Sequence, residues 1–228
     1  MVKISAGSYD LNKWLYGGYE KDIISVVYGA SGTGKTNFCL LAAVSQAKKG
    51  NKVIFIDSEG GFSSDRVKQL APDDFKSVLG NILLLNPTNF SEQKKAFETL
   101  LKELKKEVSL IVVDGMTILY RLEFAAAREK GEKEIQKINS ELVRQMRTLA
   151  EIARKKEIPV VVTNQVYRWE DSAKMVGGDI LKYWGKCLIE LVNDKGRRIA
   201  YLRKHRSLPE KSLSFVIDNK GVRKRGWI

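Results

Sequence analysis

Five short apolar runs recur along the chain, and longer segments with helical spacing separate them. The runs are IISVVY from Ile23, VIFID from Val53, ILLL from Ile82, LIVVD from Leu110 and IPVVVT from Ile158. Strands that are apolar on both faces are typical of a parallel sheet covered by helices on both sides. The alternation of such strands with helices predicts a doubly wound α/β fold with right-handed crossovers.

Two segments between the runs have the apolar spacing of amphipathic helices. Their apolar residues are Phe97, Leu100, Leu101 and Leu104 in the first, and Ile135, Ile138, Leu142, Met146, Leu149 and Ile152 in the second. After Thr163 the pattern changes, because KCLIEL and RRIAYLRK flank the turn-like Asn193-Asp194-Lys195-Gly196. This predicts an antiparallel hairpin, followed by a last strand LSFVID that ends at Asp218.

The length of 228 residues and the absence of a Pro/Gly-rich linker predict one domain over residues 1–228. The 40 Lys and Arg against 27 Asp and Glu give a net charge of +13, which favours a polyanionic partner such as nucleic acid. A solvated or thermophilic basic surface is the alternative. We expect Cys39 and Cys187 to be small core residues. No apolar run reaches the ~20 residues that span a bilayer, so we expect a soluble, cytoplasmic protein.

The strongest chemical signal is a GxxxxGK[ST] motif directly after the first apolar strand and directly before the helical run NFCLLAAVSQA. Its backbone N–H groups and the start of the helix are expected to bind nucleotide phosphates. Lys35 is expected to reach the β- and γ-phosphates, and Thr36 to coordinate Mg²⁺. The residues of the motif are Gly29, Ala30, Ser31, Gly32, Thr33, Gly34, Lys35 and Thr36.

Two carboxylates follow other predicted strands at the edge where α/β proteins bind ligands. Asp114 ends LIVVD and can hold the water shell of Mg²⁺. Glu59 follows VIFID and is the candidate base for the water that attacks the γ-phosphate. Its alternative interpretation is a loop residue that caps a nearby helix.

The motifs FIDSEGGF, LIVVD followed by LYR, and VVVTNQV, in this order after GASGTGKT, resemble those of the RecA/RadA recombinase superfamily. The resemblance covers nearly the whole chain and implies a RecA-like P-loop ATPase core, mostly parallel and extended by the C-terminal antiparallel hairpin. It implies that Glu59, Lys35 and Gln165 are catalytic, and that Asn164 and Gln165 sense the γ-phosphate. Arg66 is similar to the family arginine that lies against adenine.

The sequence also departs from the full recombinases, whose N-terminal domain and polymerisation segment precede the ATPase core. This chain begins at that core, so we expect no separate N-terminal DNA-binding domain and no filament assembly by that route. The segment YRWEDSAKMV, which matches the second DNA-binding loop, is short, so strand exchange is not expected.

The resemblance implies an archaeal accessory protein of homologous recombination and repair that binds ATP, Mg²⁺ and single-stranded or branched DNA. It hydrolyses ATP weakly at most, and it cooperates with the main recombinase of the RadA type or a junction resolvase. We expect a homodimer. The alternatives are a KaiC-like signalling ATPase with protein partners, and a nonenzymatic module that ATP switches.

Basic and aromatic residues match the two DNA-binding loops of the family. They are Arg121, Arg128 and Lys130 in the first, and Arg168, Trp169 and Lys174 in the second. Cations contact phosphate and an exposed indole can stack on a base. The alternative is that Trp169 packs under its loop and that the charges only solvate it.

Strand alternation predicts that Lys204 and Arg206 share one face, with Arg203 and His205 on the other. The spacing of Lys204 and Arg206 is similar to the basic fingers that RecA-like ATPases insert into a neighbouring subunit's active site. The rival interpretation is a patch that binds the DNA backbone.

Overall fold

The computed structural model describes residues 2–169 and 172–226, with side chains for all of these except residues 168–174. Its helices are α1 (Tyr9–Trp14), α2 (Lys35–Ala47), α3 (Ser64–Leu70), α4 (Phe75–Gly80), α5 (Phe90–Glu103), α6 (Ile118–Lys130), α7 (Glu132–Lys156) and α8 (Gly178–Trp184). Its strands are β1 (Lys3–Ile4), β2 (Tyr19–Glu20), β3 (Ile24–Gly29), β4 (Lys52–Asp57), β5 (Ile82–Leu85), β6 (Val108–Asp114), β7 (Val160–Trp169), β8 (Ser172–Met175), β9 (Gly185–Asp194), β10 (Arg197–His205), β11 (Lys211–Asp218) and β12 (Gly221–Lys224).

One large sheet runs through the part of the chain that the structure describes, in the order β12-β11-β10-β9-β3-β7-β6-β4-β5, with β8 paired to β7. Neighbouring strands from β9 to β5 are parallel, whereas β9 to β12 are antiparallel to one another. The predicted apolar strands are therefore confirmed. The predicted hairpin is also confirmed, and its turn consists of Lys195 and Gly196, both with positive φ.

Two apolar clusters cover the two faces of the sheet. One lies under α2 and the C-terminal antiparallel strands and includes Phe38, Phe55 and Phe215. The other contains the apolar stripe of α7, with Leu142, Met146 and Leu149 fully buried against the sheet. Cys39 and Cys187 are buried free thiols, as expected for core residues.

The parallel strands place the ends of several motifs at one edge, which we call the carboxyl edge. In the register, Gly29 pairs with Gln165 and Asp57 pairs with Asp114. Because β10 runs the other way, it begins at the carboxyl edge and ends at the opposite edge. The nucleotide motifs and the start of β10 therefore meet, while Lys204 and Arg206 lie far from them.

The first predicted DNA-binding loop is helical, and this corrects the sequence analysis. Residues from Ile118 to Lys130 form α6, and only Gly131 separates it from α7. Within α6, Leu119, Tyr120 and Ala127 are buried. None of the described helices is long and apolar enough to span a membrane.

Candidate nucleotide-binding site

The phosphate loop connects β3 to α2 and packs closely on the C-terminal strands. A Cβ atom at Gly29 would lie 2.3 Å from the backbone oxygen of Leu191 on β9. At Gly34, φ is +109° and a Cβ atom would lie 2.8 Å from Cδ1 of Ile217 on β11. Both positions require glycine, the first for close approach and the second also for its left-handed backbone.

Two side chains of the loop, those of Lys35 and Thr33, point into the loop itself. Lys35 is buried, and its Nζ donates hydrogen bonds to the carbonyls of Gly29 at 3.2 Å and Ala30 at 3.1 Å. The hydroxyl of Thr33 donates to the same carbonyl of Ala30 at 2.8 Å. These bonds hold the ammonium group over the loop, where the N–H groups at the start of α2 add positive potential.

Asp114 is fully buried at the end of β6. Its Oδ1 accepts a hydrogen bond from Thr163 Oγ1 at 2.6 Å, whereas its Oδ2 has no hydrogen-bond partner among the described residues. Burial raises the pKa of Asp114 to about 6, and the hydroxyls of Thr163 and Thr36 act in the opposite direction. A buried, unpaired carboxylate oxygen is costly unless a cation or donor completes it.

Glu59 lies in the loop after β4, and Asp57 shapes that loop. Asp57 Oδ1 accepts hydrogen bonds from the backbone N–H groups of Glu59 and Gly61, each at 3.2 Å. The loop crosses the start of α2, because a Cβ atom at Gly61 would lie 3.0 Å from Thr36 Oγ1 and 3.6 Å from Asp114 Oδ2. The residues predicted to hold Mg²⁺ therefore lie within a few ångströms of this loop.

A cleft of about 450 Å³ joins these elements, and Glu59 lines it together with the phosphate loop. The Oε1 atom of Glu59 is shielded from solvent and has no hydrogen-bond partner among the described residues. Two unpaired carboxylate oxygens, Glu59 Oε1 and Asp114 Oδ2, and the hydroxyl of Thr36 thus converge on one region. This donor set suits a hard cation with oxygen ligands and a water-activating base, so it fits Mg²⁺ with a nucleoside triphosphate.

Asn164 and Gln165, predicted to sense the γ-phosphate, have different surroundings. Asn164 is fully buried, its Oδ1 accepts a hydrogen bond from Thr117 Oγ1, and its Nδ2 donates to the carbonyl of Val176 at 2.8 Å. Gln165 is half-buried at the carboxyl edge, in register with Gly29. The geometry thus leaves Gln165 as the better candidate of the pair for a phosphate contact.

Arg66 lies beside the phosphate loop on α3. Its Nε donates to Asn37 Oδ1 at 2.9 Å, and Asn37 lines the cleft. Its Nη1 donates to Gln69 Oε1 at 2.8 Å, while its buried Nη2 has no partner among the described residues. Burial lowers the pKa of Arg66, with the charge of Asp218 acting the other way. This position is compatible with the predicted contact to adenine.

Sequence reasoning missed four residues that contribute to the site: Asn37, Thr163, Arg198 and Ile217. Asn37 directly follows the GxxxxGK[ST] motif, so its position alone could have indicated it. The other three come from strands whose register with the phosphate loop is set by the tertiary fold. No local pattern in the sequence identifies Arg198 or Ile217, whereas Thr163 lies within VVVTNQV, directly before the predicted Asn164 and Gln165.

The candidate DNA-binding residues are only partly described by the structure. Arg121, Arg128 and Lys130 are exposed on α6, and the Arg128 guanidinium lies 5.6 Å from the ring centre of Phe124. The side chains of Arg168, Trp169 and Lys174 lie outside the described residues. Arg121 and Arg128, seven positions apart, form a basic surface on one face of α6, which begins at the carboxyl edge, whereas Lys130 lies on the opposite side of the helix.

Lys204 and Arg206 occupy the opposite edge and are both engaged there. Lys204 Nζ donates to the carbonyls of Lys182 and Gly185 at 3.0 Å each, and burial lowers its pKa. Arg206 forms a bidentate pair with Asp22 at 2.5 and 2.6 Å and an ion pair with buried Glu20 at 2.6 Å.

The predicted alternation at the end of β10 is interrupted at Arg203, whereas Lys204 and His205 pair with consecutive residues of β9 and so lie on opposite faces, as predicted. The register shifts between Leu202 and Lys204, and the strand ends at His205, so Arg206 lies beyond it. A bulge changes which face the following side chains occupy, and simple counting by two therefore fails here.

Comparison with known proteins agrees with this geometry. A sequence model of the Rad51 family matches residues 1–225. The DNA repair and recombination protein RadB of Methanobrevibacter smithii is 39% identical over 223 residues, which cover 93% of this chain and 92% of that protein. The RadB protein of Methanocaldococcus jannaschii is 39% identical over 212 residues, covering 93% and 98%.

A solved structure has the same fold. The crystal structure of a RadB recombinase has a TM-score of 0.80 and 32% sequence identity to this chain, and the match covers 98% of this chain and 100% of that one. The predicted RecA-like core with an antiparallel C-terminal extension is confirmed.

Proposed function

This chain belongs to the Rad51 family and, within it, to the RadB group of DNA repair and recombination proteins, and on that premise we propose that it is an ATP-binding and DNA-binding accessory protein of homologous recombination. The observation that carries the proposal is the convergence of the phosphate loop with two shielded carboxylate oxygens, Glu59 Oε1, whose residue lines the cleft, and Asp114 Oδ2, which lies near Thr36 beside the Glu59 loop. Family membership favours this function over a KaiC-like signalling ATPase.

Nucleotide binding would use groups that are already in place. Lys35 Nζ would exchange its contacts with the loop carbonyls for phosphate oxygens, and the N–H groups at the start of α2 would bind the same phosphates. Thr36 and Asp114 would hold Mg²⁺, which neutralises the charge of the phosphates. Arg66 would lie against the base.

Hydrolysis would rest on Glu59 and would be weak at most. Its carboxylate can accept a proton from a water molecule in the cleft, and Gln165 can donate a hydrogen bond to a phosphate oxygen. Lys204 and Arg206 lie at the opposite edge, so they can reach only the site of another copy. We propose that an isolated chain therefore lacks the cations that RecA-like ATPases supply from a neighbour.

DNA binding would be coupled to the nucleotide site by hydrogen bonds. Thr163 donates to Asp114 and accepts from the backbone N–H of Gly115 at 2.7 Å, just before α6. Asn164 links Thr117 at the start of α6 to Val176, which is the last residue of the second candidate loop. A change at the metal ligand can therefore alter the positions of both candidate DNA-binding segments.

The expected partners are DNA, another recombination protein and a second copy of this chain. We propose single-stranded or branched DNA as the ligand of the basic surface, a RadA-type recombinase or a junction resolvase as the protein partner, and a homodimer as the assembly. Strand exchange is not part of the proposed activity. Light scattering at several concentrations that shows only monomer would remove the dimer.

The test is binding of labelled single-stranded DNA at two salt concentrations, with and without ATP and Mg²⁺, for the native chain and Lys35→Ala. We expect salt-sensitive binding that ATP modulates only in the native chain. Arg121→Ala combined with Arg128→Ala should reduce DNA affinity without changing nucleotide affinity. No DNA binding at low salt would contradict the proposal and favour a protein-partnered ATPase.

A further inference from the structure

Arg198 is an unexplained cation in the candidate nucleotide cleft. It lies near the start of β10, where it lines the cleft together with Gly32, Lys35 and Ile217. The side chain is half-buried, and its Nε is shielded from solvent without a hydrogen-bond partner among the described residues. A buried guanidinium donor without an acceptor is unfavourable in a folded protein, so a role for it has to be sought in what the cleft binds.

The surroundings of Arg198 point to an anionic acceptor. The charged side chains that line the cleft are Lys35, Glu59 and Arg198, so the cations outnumber the carboxylate. Lys35 is occupied with carbonyls of the phosphate loop, whereas the Nε of Arg198 is unpaired. A planar guanidinium with several donors matches phosphate oxygens in geometry and charge.

The strand pairing explains how Arg198 is aimed. It lies opposite Phe215 on β11, which packs on Phe38 of α2. Its neighbour Arg197 is on the other face of the strand, exposed, and lines a separate surface cleft with Tyr201 and Ser214. Two adjacent arginines of the same strand thus face different environments, and only one of them faces the phosphate loop.

We propose that Arg198 is a nucleotide-binding residue whose guanidinium donates hydrogen bonds to the phosphates of a bound nucleotide in its own chain. The proposal rests on the proposed nucleotide-binding function and adds to it a cation supplied by the antiparallel hairpin. Nucleotide affinity then depends on the packing of β10 beside the phosphate loop and not only on the phosphate loop itself.

The experiment measures the affinity of a fluorescent ATP analogue with Mg²⁺ for the wild type, Arg198→Ala, Arg198→Lys, Arg197→Ala and Lys35→Ala. A hydrogen bond between charged groups is lost in Arg198→Ala, so we expect affinity to fall about tenfold or more. Arg198→Lys should recover part of the loss. Arg197→Ala removes the same charge one residue away and should change affinity less than about twofold, because an exposed charge is screened.

The melting temperature gives a second readout that a merely structural role would not produce. Because the Nε of Arg198 has no partner among the described residues, Arg198→Ala should melt at or above the wild-type temperature without nucleotide. The increase in melting temperature on adding ATP and Mg²⁺ should be smaller than in the wild type.

The outcomes distinguish a failure of the proposed Arg198 role from a failure of the proposed nucleotide-binding function. Equal ATP affinity of Arg198→Ala and Arg197→Ala, with binding still dependent on Lys35, would overturn the role of Arg198 alone. Wild-type binding that Lys35→Ala does not change would overturn the nucleotide-binding function and the role of Arg198 with it. A large fall in the nucleotide-free melting temperature of Arg198→Ala would also overturn the proposal, because it would show a structural role.

Discussion

Individual residues at the cleft are arranged at a cost to stability. The buried carboxylate of Asp114 has one oxygen paired with Thr163 and the other without a partner among the described residues. Glu59 likewise has an unpaired, shielded oxygen. Unpaired buried charge lowers the free energy of unfolding, so these residues are better explained by ligand binding than by folding.

Replacing Asp114 with Asn should separate stability from metal binding. The amide oxygen keeps the hydrogen bond from Thr163, and the buried charge is removed. We expect the free energy of unfolding in Mg²⁺-free buffer at pH 8 to rise by roughly 1–3 kcal/mol, while Mg²⁺-dependent nucleotide binding is lost. Because burial raises the pKa of Asp114 to about 6, whereas the carboxyl of the unfolded chain is already ionised at pH 5, the gain should be roughly half as large at pH 5 as at pH 8. Urea unfolding at both pH values checks this, and a less stable variant at pH 8 would contradict it.

Replacing Glu59 with Gln should affect chemistry but not binding. The amide has the same shape and cannot accept the proton of an attacking water, so single-turnover hydrolysis should fall about a hundredfold or more. ATP affinity should stay within about threefold. Glu129→Gln, at an exposed position of α6, is the matched control. Unchanged phosphate release by Glu59→Gln would rule out its role as the base.

How far the sequence predicts the site depends on how far apart its residues lie along the chain. Lys35 and Thr36 are predicted because the phosphate loop is built by consecutive residues. Thr163 was missed because its partner Asp114 is 49 positions away, and only the pairing of β6 with β7 brings them together. Arg198 was missed because an arginine in a strand is indistinguishable by pattern from an exposed one such as Arg197.

At the scale of elements, the phosphate loop packs closely against the C-terminal antiparallel strands. Five of the six mutually parallel strands were predictable because their apolar runs are continuous, whereas β9 was predicted only as part of the antiparallel hairpin. The helix α6 was missed although LEFAAAREK, from Leu122 to Lys130, is rich in strong helix formers such as Ala, Leu and Glu. Packing against α7 stabilises a helix there, whereas the family resemblance indicated a loop.

Gly29→Ala tests the close contact between the phosphate loop and β9. The added Cβ would lie 2.3 Å from the Leu191 oxygen, so β3 and β9 must separate, and we expect a loss of about 2–3 kcal/mol in the free energy of unfolding. Gly80→Ala is the control, since α4 has open space at that position, and it should be neutral or stabilising by about 0.5–1 kcal/mol. Equal urea midpoints for the two variants would contradict the close contact.

At the scale of the whole molecule, an ion network joins the two ends of the chain. Arg206 pairs with Glu20, which is 1% exposed, and with Asp22, 184 positions away. Ser207 donates a hydrogen bond to Glu20 at 3.3 Å in the same network. The network lies at the edge opposite the phosphate loop.

Arg206→Ala should therefore destabilise the whole fold. It leaves the buried carboxylate of Glu20 without its nearest cation, and we expect a loss of about 2–3 kcal/mol. Arg203→Ala is the control, because the Arg203–Glu190 pair is more exposed and should contribute less than about 1 kcal/mol. Similar melting temperatures for the two variants would refute the structural role of Arg206. A test of basic fingers should accordingly use Lys204→Ala alone, so that a loss of hydrolysis is not mistaken for unfolding.

The contacts of Gly29 with Leu191 and of Gly34 with Ile217 also bear on how the protein is made. Parallel strands from the first two-thirds of the chain can pair while synthesis continues. The phosphate loop, however, reaches its final surroundings only after β9 and β11 have left the ribosome. A nascent chain that lacks them should bind no nucleotide, so ATP can stabilise the fold only once translation is nearly complete.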